Sequence, residues 1–310
     1  MKRIVLCLSL AAGAGCLRSR PAPDEKIEAT STRVERGEYL ANAVFACIQC
    51  HSTPDETLFS RPPKEETAPG GGGQCWHSNV GFPGRLCAPN LTGDDETGLG
   101  RYTDGELMRA IREGVDRDGA GLFPLMPYRD YASISDEDTR AIVAYLRTLP
   151  AVKNEVPEKD LDFPVGLFIR FAPRPLEGPV PEPDRADPVA YGRYLGRACL
   201  RCHTPADSRG RMLPGRELAG GQEFKLHGGG VVVSPNLTPH PTGLGAWSKE
   251  QFIARFHGYR EAVKVEPSRN TVMPWLAFAD LTDEDLGAIW AWLQSMPAID
   301  NKVMAWPAVN

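Results

Sequence analysis

The chain has 310 residues, 42% of them hydrophobic and 24% charged, with a formal net charge of -5 and a pI near 5.8. This composition excludes a disordered or fibrous chain and leaves no basic footprint for nucleic acid. The length suits about two domains.

The N-terminus opens with Met1-Lys2-Arg3, continues as an apolar run from Ile4 to Ala14 and turns to small residues. That is the pattern of a secretion signal over residues 1–20, and the basic start argues against an ordinary buried helix. Ala12-Gly13-Ala14 offers a cleavage site. Ala14-Gly15-Cys16 offers the alternative of a lipoprotein junction with a lipid anchor at Cys16, although Gly13 stands where that junction usually has Leu. Both readings predict export to the periplasm.

A domain is expected over 30–150. It begins with Gly37-Glu38-Tyr39-Leu40, which leads to Cys47-Ile48-Gln49-Cys50-His51. Cys75 and Cys87 follow, and an oxidising compartment predicts a disulfide between them. A zinc site using His77 is the competing reading. Thr103-x-x-Glu106 is a capping box before a helix carrying Leu107, Ala110 and Ile111. Met126-Pro127 lies in a loop, after which Ser135 and the acids Asp136, Glu137 and Asp138 open a last helix with Ile142, Tyr145 and Leu146 on its apolar face. The acids read as helix caps rather than catalytic carboxylates.

Residues 151–187 are Pro-rich and predict an extended, stiff linker. Its apolar piece, Phe163 to Ile169, is expected to pack across both domains, because exposed it would be an aggregation liability.

A second domain, 188–310, repeats the first. Gly192-Arg193-Tyr194-Leu195 leads to Cys199-Leu200-Arg201-Cys202-His203; Pro89-Asn90-Leu91-Thr92 recurs as Pro235-Asn236-Leu237-Thr238. Thr97-Gly98-Leu99-Gly100 recurs as Thr242-Gly243-Leu244-Gly245, and Met126-Pro127 as Met273-Pro274. Ser248-x-x-Gln251 is a second capping box, before Phe252, Ile253 and Phe256. Thr282 opens the last helix, with Ile289, Trp290, Trp292 and Leu293 as its apolar face. No period-2 pattern of useful length is present, so the fold class expected is all-α with long loops.

Cys, Cys and His at i, i+3 and i+4 point one way from a helical turn, so two thiols can form thioethers while the imidazole reaches a metal. This spacing marks c-type haem attachment. A thioredoxin-like dithiol would need a βαβ context, and half a zinc site would need further Cys/His pairs; neither is present in the sequence. Two covalent haem c groups are therefore expected, on Cys47 and Cys50 and on Cys199 and Cys202, with His51 and His203 as axial ligands. The second axial ligand of a cytochrome c is commonly Met. Met126 and Met273 occupy matching places, each before a proline that keeps its loop non-helical. Met108 and Met212 are the alternatives, and His240 is a rival for Met273. His77, His227, His240 and His257 have no counterparts across the repeat and read as surface residues.

Both halves resemble class I cytochrome c domains, and the chain from about residue 36 is similar to the cytochrome c subunits of bacterial alcohol, aldehyde and gluconate dehydrogenases. The Asn-Leu-Thr, Thr-Gly-Leu-Gly and Met-Pro segments carry that likeness. It implies that Asn90 and Asn236 support the haem or its ligand loop. Those subunits commonly carry three Cys-x-x-Cys-His motifs, and this chain has two. The resemblance implies electron transfer between a dehydrogenase or other donor and the respiratory chain. Its redox partners would be a dehydrogenase subunit, an oxidase or another cytochrome. A haem enzyme, such as a di-haem peroxidase or thiosulfate dehydrogenase, is the rival reading, and no catalytic residue is expected on the carrier reading.

Overall fold

The structure is a computed structural model that describes residues 21–207 and 210–306. The expected export segment, with Cys16, lies outside the described residues. Helices begin where the caps place them. Thr30 accepts the Arg33 amide at 3.3 Å and opens α1 (Ser31–Tyr39), which runs on through a π-turn, Leu40–Val44, towards α2 (Cys47–Cys50). The Thr103/Glu106 capping box starts α3 (Asp104–Glu113), Pro127 precedes the short α4 (Tyr128–Tyr131), and Ser135 caps α5 (Asp136–Leu146). α6 (Val165–Phe168) lies between the halves.

The C-terminal half follows the same order. Asp187 caps α7 (Pro188–Gly196), which leads into α8 (Cys199–His203). The Ser248/Gln251 box starts α9 (Lys249–His257), Pro274 precedes α10 (Trp275–Phe278), and Thr282 caps α11 (Asp283–Gln294).

The main packing pairs are α1 on α5 and α7 on α11. A methyl group on Gly37 would lie 1.8 Å from the Ala141 carbonyl oxygen, and one on Gly192 would lie 1.9 Å from that of Ala288. Only hydrogen fits at either crossing, which gives both Gly-x-Tyr-Leu segments a common physical cause. Leu40, Ile142, Leu286 and Leu293 are fully buried around these crossings. Each such side chain contributes roughly 2 kcal/mol. The buried side chains form one cluster containing residues of both halves.

The halves also exchange hydrogen bonds in a reciprocal way. Tyr39 donates its hydroxyl proton to Asp285 Oδ2 at 2.5 Å and accepts the Thr282 amide at 3.2 Å. Tyr194 donates to Asp138 Oδ2 at 2.7 Å and accepts the Ser135 amide at 3.2 Å. Each tyrosine thus braces the start of the other half's last helix. The acidic triplets do more than cap, since Asp138 and Asp285 are buried acceptors at this junction.

Two expectations are corrected. Short strands are present: β1 (Cys75–Trp76), β2 (Gly84–Cys87) and β3 (Asp160–Leu161) form one antiparallel sheet, and β4 (Glu223–Lys225) pairs with β5 (Val231–Val233). They are two to four residues long and sit in loops, too short for alternation to register in sequence, and the fold remains helical. The apolar piece between the halves does not pack across both. Phe163, Leu167, Phe168 and Phe171 are exposed, Phe163 at 88%, while Ile169 and Ala172 are buried. The short α6 buries none of its residues, and only the turn that follows it directs Ile169 inward. Cys75 and Cys87 form a disulfide that joins β1 to β2, which rules out the zinc reading.

Candidate functional site

Each Cys-x-x-Cys-His segment sits on a short helix, with the first copy entering through Ala46 in the left-handed region at φ 48°. Burial, and then its neighbour Cys50, pushes the Cys47 thiol up to about 12; burial alone pushes Cys50 up to about 11. Cys199 is raised to about 12 in the same way, and Cys202 is raised by burial. Reactive dithiols carry a lowered pKa, and the shift here runs the other way. Cys50 keeps accessible surface although the protein crowds it enough to raise its thiol.

The two histidines are held identically. His51 Nδ1 lies 2.9 Å from the Pro89 carbonyl oxygen, and His203 Nδ1 lies 2.9 Å from that of Pro235. A carbonyl only accepts, so Nδ1 carries the proton, and Nε2 presents a lone pair suited to a metal. Burial lowers both histidine pKa values and keeps the rings neutral. An imidazole oriented through its distal N–H is the usual arrangement of a metal-ligating histidine. Two adjacent thiols beside a neutral, Nδ1-anchored imidazole fit a covalently attached haem.

Among the described residues, no side-chain hydrogen bond of Asn90 or Asn236 reaches a Met-Pro loop. Asn90 Nδ2 donates to Thr97 Oγ1 at 3.1 Å and to the Val152 carbonyl at 2.7 Å, and its Oδ1 accepts the Thr92 amide at 2.9 Å. Asn236 makes the matching bonds to Thr242, Ile299 and Thr238 at 3.2, 2.8 and 2.9 Å. These knots pin the turn whose preceding proline carbonyl receives the histidine, so the asparagines support the site through that turn.

Sequence reasoning missed a further support. Gly72-Gly73-Gln74 recurs as Gly220-Gly221-Gln222, and the amides of Gly72 and Gly220 donate to the carbonyls of His51 and His203 at 2.8 and 2.7 Å. Both glycines have positive φ, and a methyl group would lie 2.8 Å from the Asn90 amide or 2.4 Å from the Pro235 carbonyl carbon. The recurring Gly-Gly-Gln was the available signal.

Met126 is partly buried against the core, and Met273 is also partly buried. In each case the amide two residues on donates to the Met carbonyl at 2.9 Å, so the loops share one turn. The first loop runs into Tyr131, whose hydroxyl donates to the Phe45 carbonyl at 3.1 Å beside the first cysteine pair. Met108 is core packing on α3, and Met212 is 51% exposed. The four remaining histidines are half-buried rather than fully exposed. His257 bridges the Ala279 carbonyl and Asp283, His240 contacts Thr242, and His227 Nε2 is buried.

No family model matches the chain. A "Diheme cytochrome c-type" protein of Cereibacter sphaeroides is 30% identical over 309 residues, covering 95% of this chain and 97% of its own length. The chain belongs to the di-haem c-type cytochromes. This cytochrome is also 30% identical over 314 residues to the cytochrome c subunit of a quinone-type alcohol dehydrogenase of Gluconacetobacter polyoxogenes. It is 31% identical over 294 residues to the gluconate 2-dehydrogenase cytochrome c subunit of Pantoea cypripedii. The cytochrome spans 62% of the length of each of those two subunits.

Proposed function

We propose that this cytochrome carries electrons from a dehydrogenase or another donor towards the respiratory chain after export to the periplasm, with a lipid anchor at Cys16 as the alternative to simple cleavage of residues 1–20. The halves 30–150 and 188–310 each hold one haem, and 151–187 link them. Cys47 and Cys50, and Cys199 and Cys202, would hold the haems as thioethers, with His51 and Met126 as iron ligands in one half and His203 and Met273 in the other. The observation that carries this reading is the duplicated Nδ1–H donation to Pro89 and Pro235, which leaves Nε2 free beside each cysteine pair.

A bound haem supplies a one-electron ferrous/ferric couple, tuned by the axial Met and by burial. The chain's own residues do the rest. The proline carbonyls fix each imidazole's tautomer and orientation. Met126 and Met273 on the Met-Pro loops would supply a thioether to the haem iron and so deny that place to other ligands. A net charge of -5 favours steering towards basic redox partners through weak encounters. No described helix is long and apolar enough to cross a membrane. Dehydrogenase cytochrome subunits among the relatives support a dehydrogenase donor.

An optical redox titration of the purified holoprotein tests the reading. Two reversible one-electron couples, with a ferric Met–iron band and no tight binding of cyanide, are expected. One centre that binds cyanide readily and turns over peroxide would refute the carrier function.

A further inference from the structure

Each Met-Pro loop is gripped from the opposite half. Arg201 lies between the two cysteines of α8, and its guanidinium sends Nε and Nη2 to Asp130 Oδ2 at 3.0 and 2.8 Å. Its Nη1 donates to the Pro124 carbonyl at 3.1 Å. These two anchors bracket Met126 from both sides. The side chains are 36% and 17% exposed, so the pair is shielded more than a freely solvated one.

Gln49 holds the matching place in α2 and cannot form an ion pair. Its Nε2 donates to the Ser60 carbonyl at 2.6 Å, and Ser60 takes over the grip. The Ser60 hydroxyl donates to the Met273 carbonyl at 2.9 Å, and its amide donates to Asn270 Oδ1 at 3.0 Å. Asn270 Nδ2 returns to the Glu56 and Leu58 carbonyls at 3.2 and 2.9 Å. Ser60 is 2% exposed and lies in the left-handed region at φ 68°, a conformation that persists when surrounding contacts over-determine it.

We propose that Arg201 is a positioning residue for Met126 and Ser60 one for Met273, so that each half controls how firmly the axial methionine is presented in the other. The proposal rests on the Met126 and Met273 ligand reading above. A loop fixed on both sides of the ligand presents its thioether in one orientation; released, it samples many. Met126 is clamped by an ion pair and Met273 by neutral hydrogen bonds, so the two centres are set independently.

The test uses the di-haem holoprotein carrying R201Q, with haem stoichiometry verified by pyridine haemochrome. About half of the ferric Met–iron band should disappear, because one of two centres loses Met. One couple should fall in potential while the other stays, since Met raises the potential. R201K should restore part of the loss, and S60A should act on the other couple. The trans assignment is read from pairs: M273L/R201Q should have no band, whereas M126L/R201Q should keep the band of M126L. An R201Q protein with two haems, a full band and unmoved couples overturns the proposal, as does an M126L/R201Q band below that of M126L. If R201Q fails to load two haems, D130N leaves α8 intact and decides by the same two outcomes. A wild-type protein without a Met–iron band refutes the ligand reading and the proposal with it, and this result shows before any substitution is made.

Discussion

Replacing Tyr39 by Phe removes a single oxygen from the junction between the halves, and the structure sets the cost. Asp285 is 5% exposed and accepts the Tyr39 proton at 2.5 Å, and no described salt bridge neutralises it. Losing a donor to a buried charged group costs about 1.5–3 kcal/mol, and the Thr282 amide also loses its acceptor. Tyr194 stands in the mirrored place, but its partner Asp138 keeps a two-pronged contact with Arg36, at 2.9 Å through both Nε and Nη2. Y194F should therefore cost less, about 1 kcal/mol. Urea unfolding of the holoprotein, followed by tryptophan fluorescence and by the Soret band, measures both. The expected order is wild type, then Y194F, then Y39F. A Y39F midpoint equal to wild type, or one above that of Y194F, would refute the account of the junction.

Three further outcomes follow from the same geometry. Burial, then the hydrogen bond to Asp285, raises the Tyr39 pKa above 10; burial, then Asp138, does the same for Tyr194. Their stabilisation is fully present below about pH 10, where the unfolded tyrosines ionise, and is lost as pH rises through the folded values. Y39F/Y194F should flatten that alkaline loss, and an unchanged pH–stability curve would count against it. Gly192→Ala must push α7 from α11 against the Ala288 carbonyl, with an overpacking cost of about 1–3 kcal/mol, whereas Gly178→Ala, which meets nothing, should be near neutral in the same melts. Removing the Cys75–Cys87 bridge, which spans 12 residues, should lower stability by about 3 kcal/mol without changing the haem count.

Much of the site was legible because its signals are local. The Cys-x-x-Cys-His spacing, the capping boxes at Thr103 and Ser248 and the paired Met-Pro loops lie within a few residues of chain, and each helix began where its cap placed it. What escaped is long-range. Nothing at Tyr39 announces a partner 246 residues away, nor at Arg201 one 71 residues back. The repeated Gly-x-Tyr-Leu was visible, but its cause, two helix crossings that admit only hydrogen, needed the packing. The exposed Phe163–Phe171 stretch resisted reading because hydrophobicity alone does not say which way a four-residue helix turns.

The central claim, that this chain carries two covalent haems at the two cysteine pairs, is tested most directly by mapping haem-bearing peptides by mass spectrometry after digestion of the denatured protein. Haem on both the peptide holding Cys47 to His51 and the peptide holding Cys199 to His203 is the predicted result. Either peptide recovered quantitatively with free thiols, from protein matured in a cell competent for cytochrome c assembly, would contradict it.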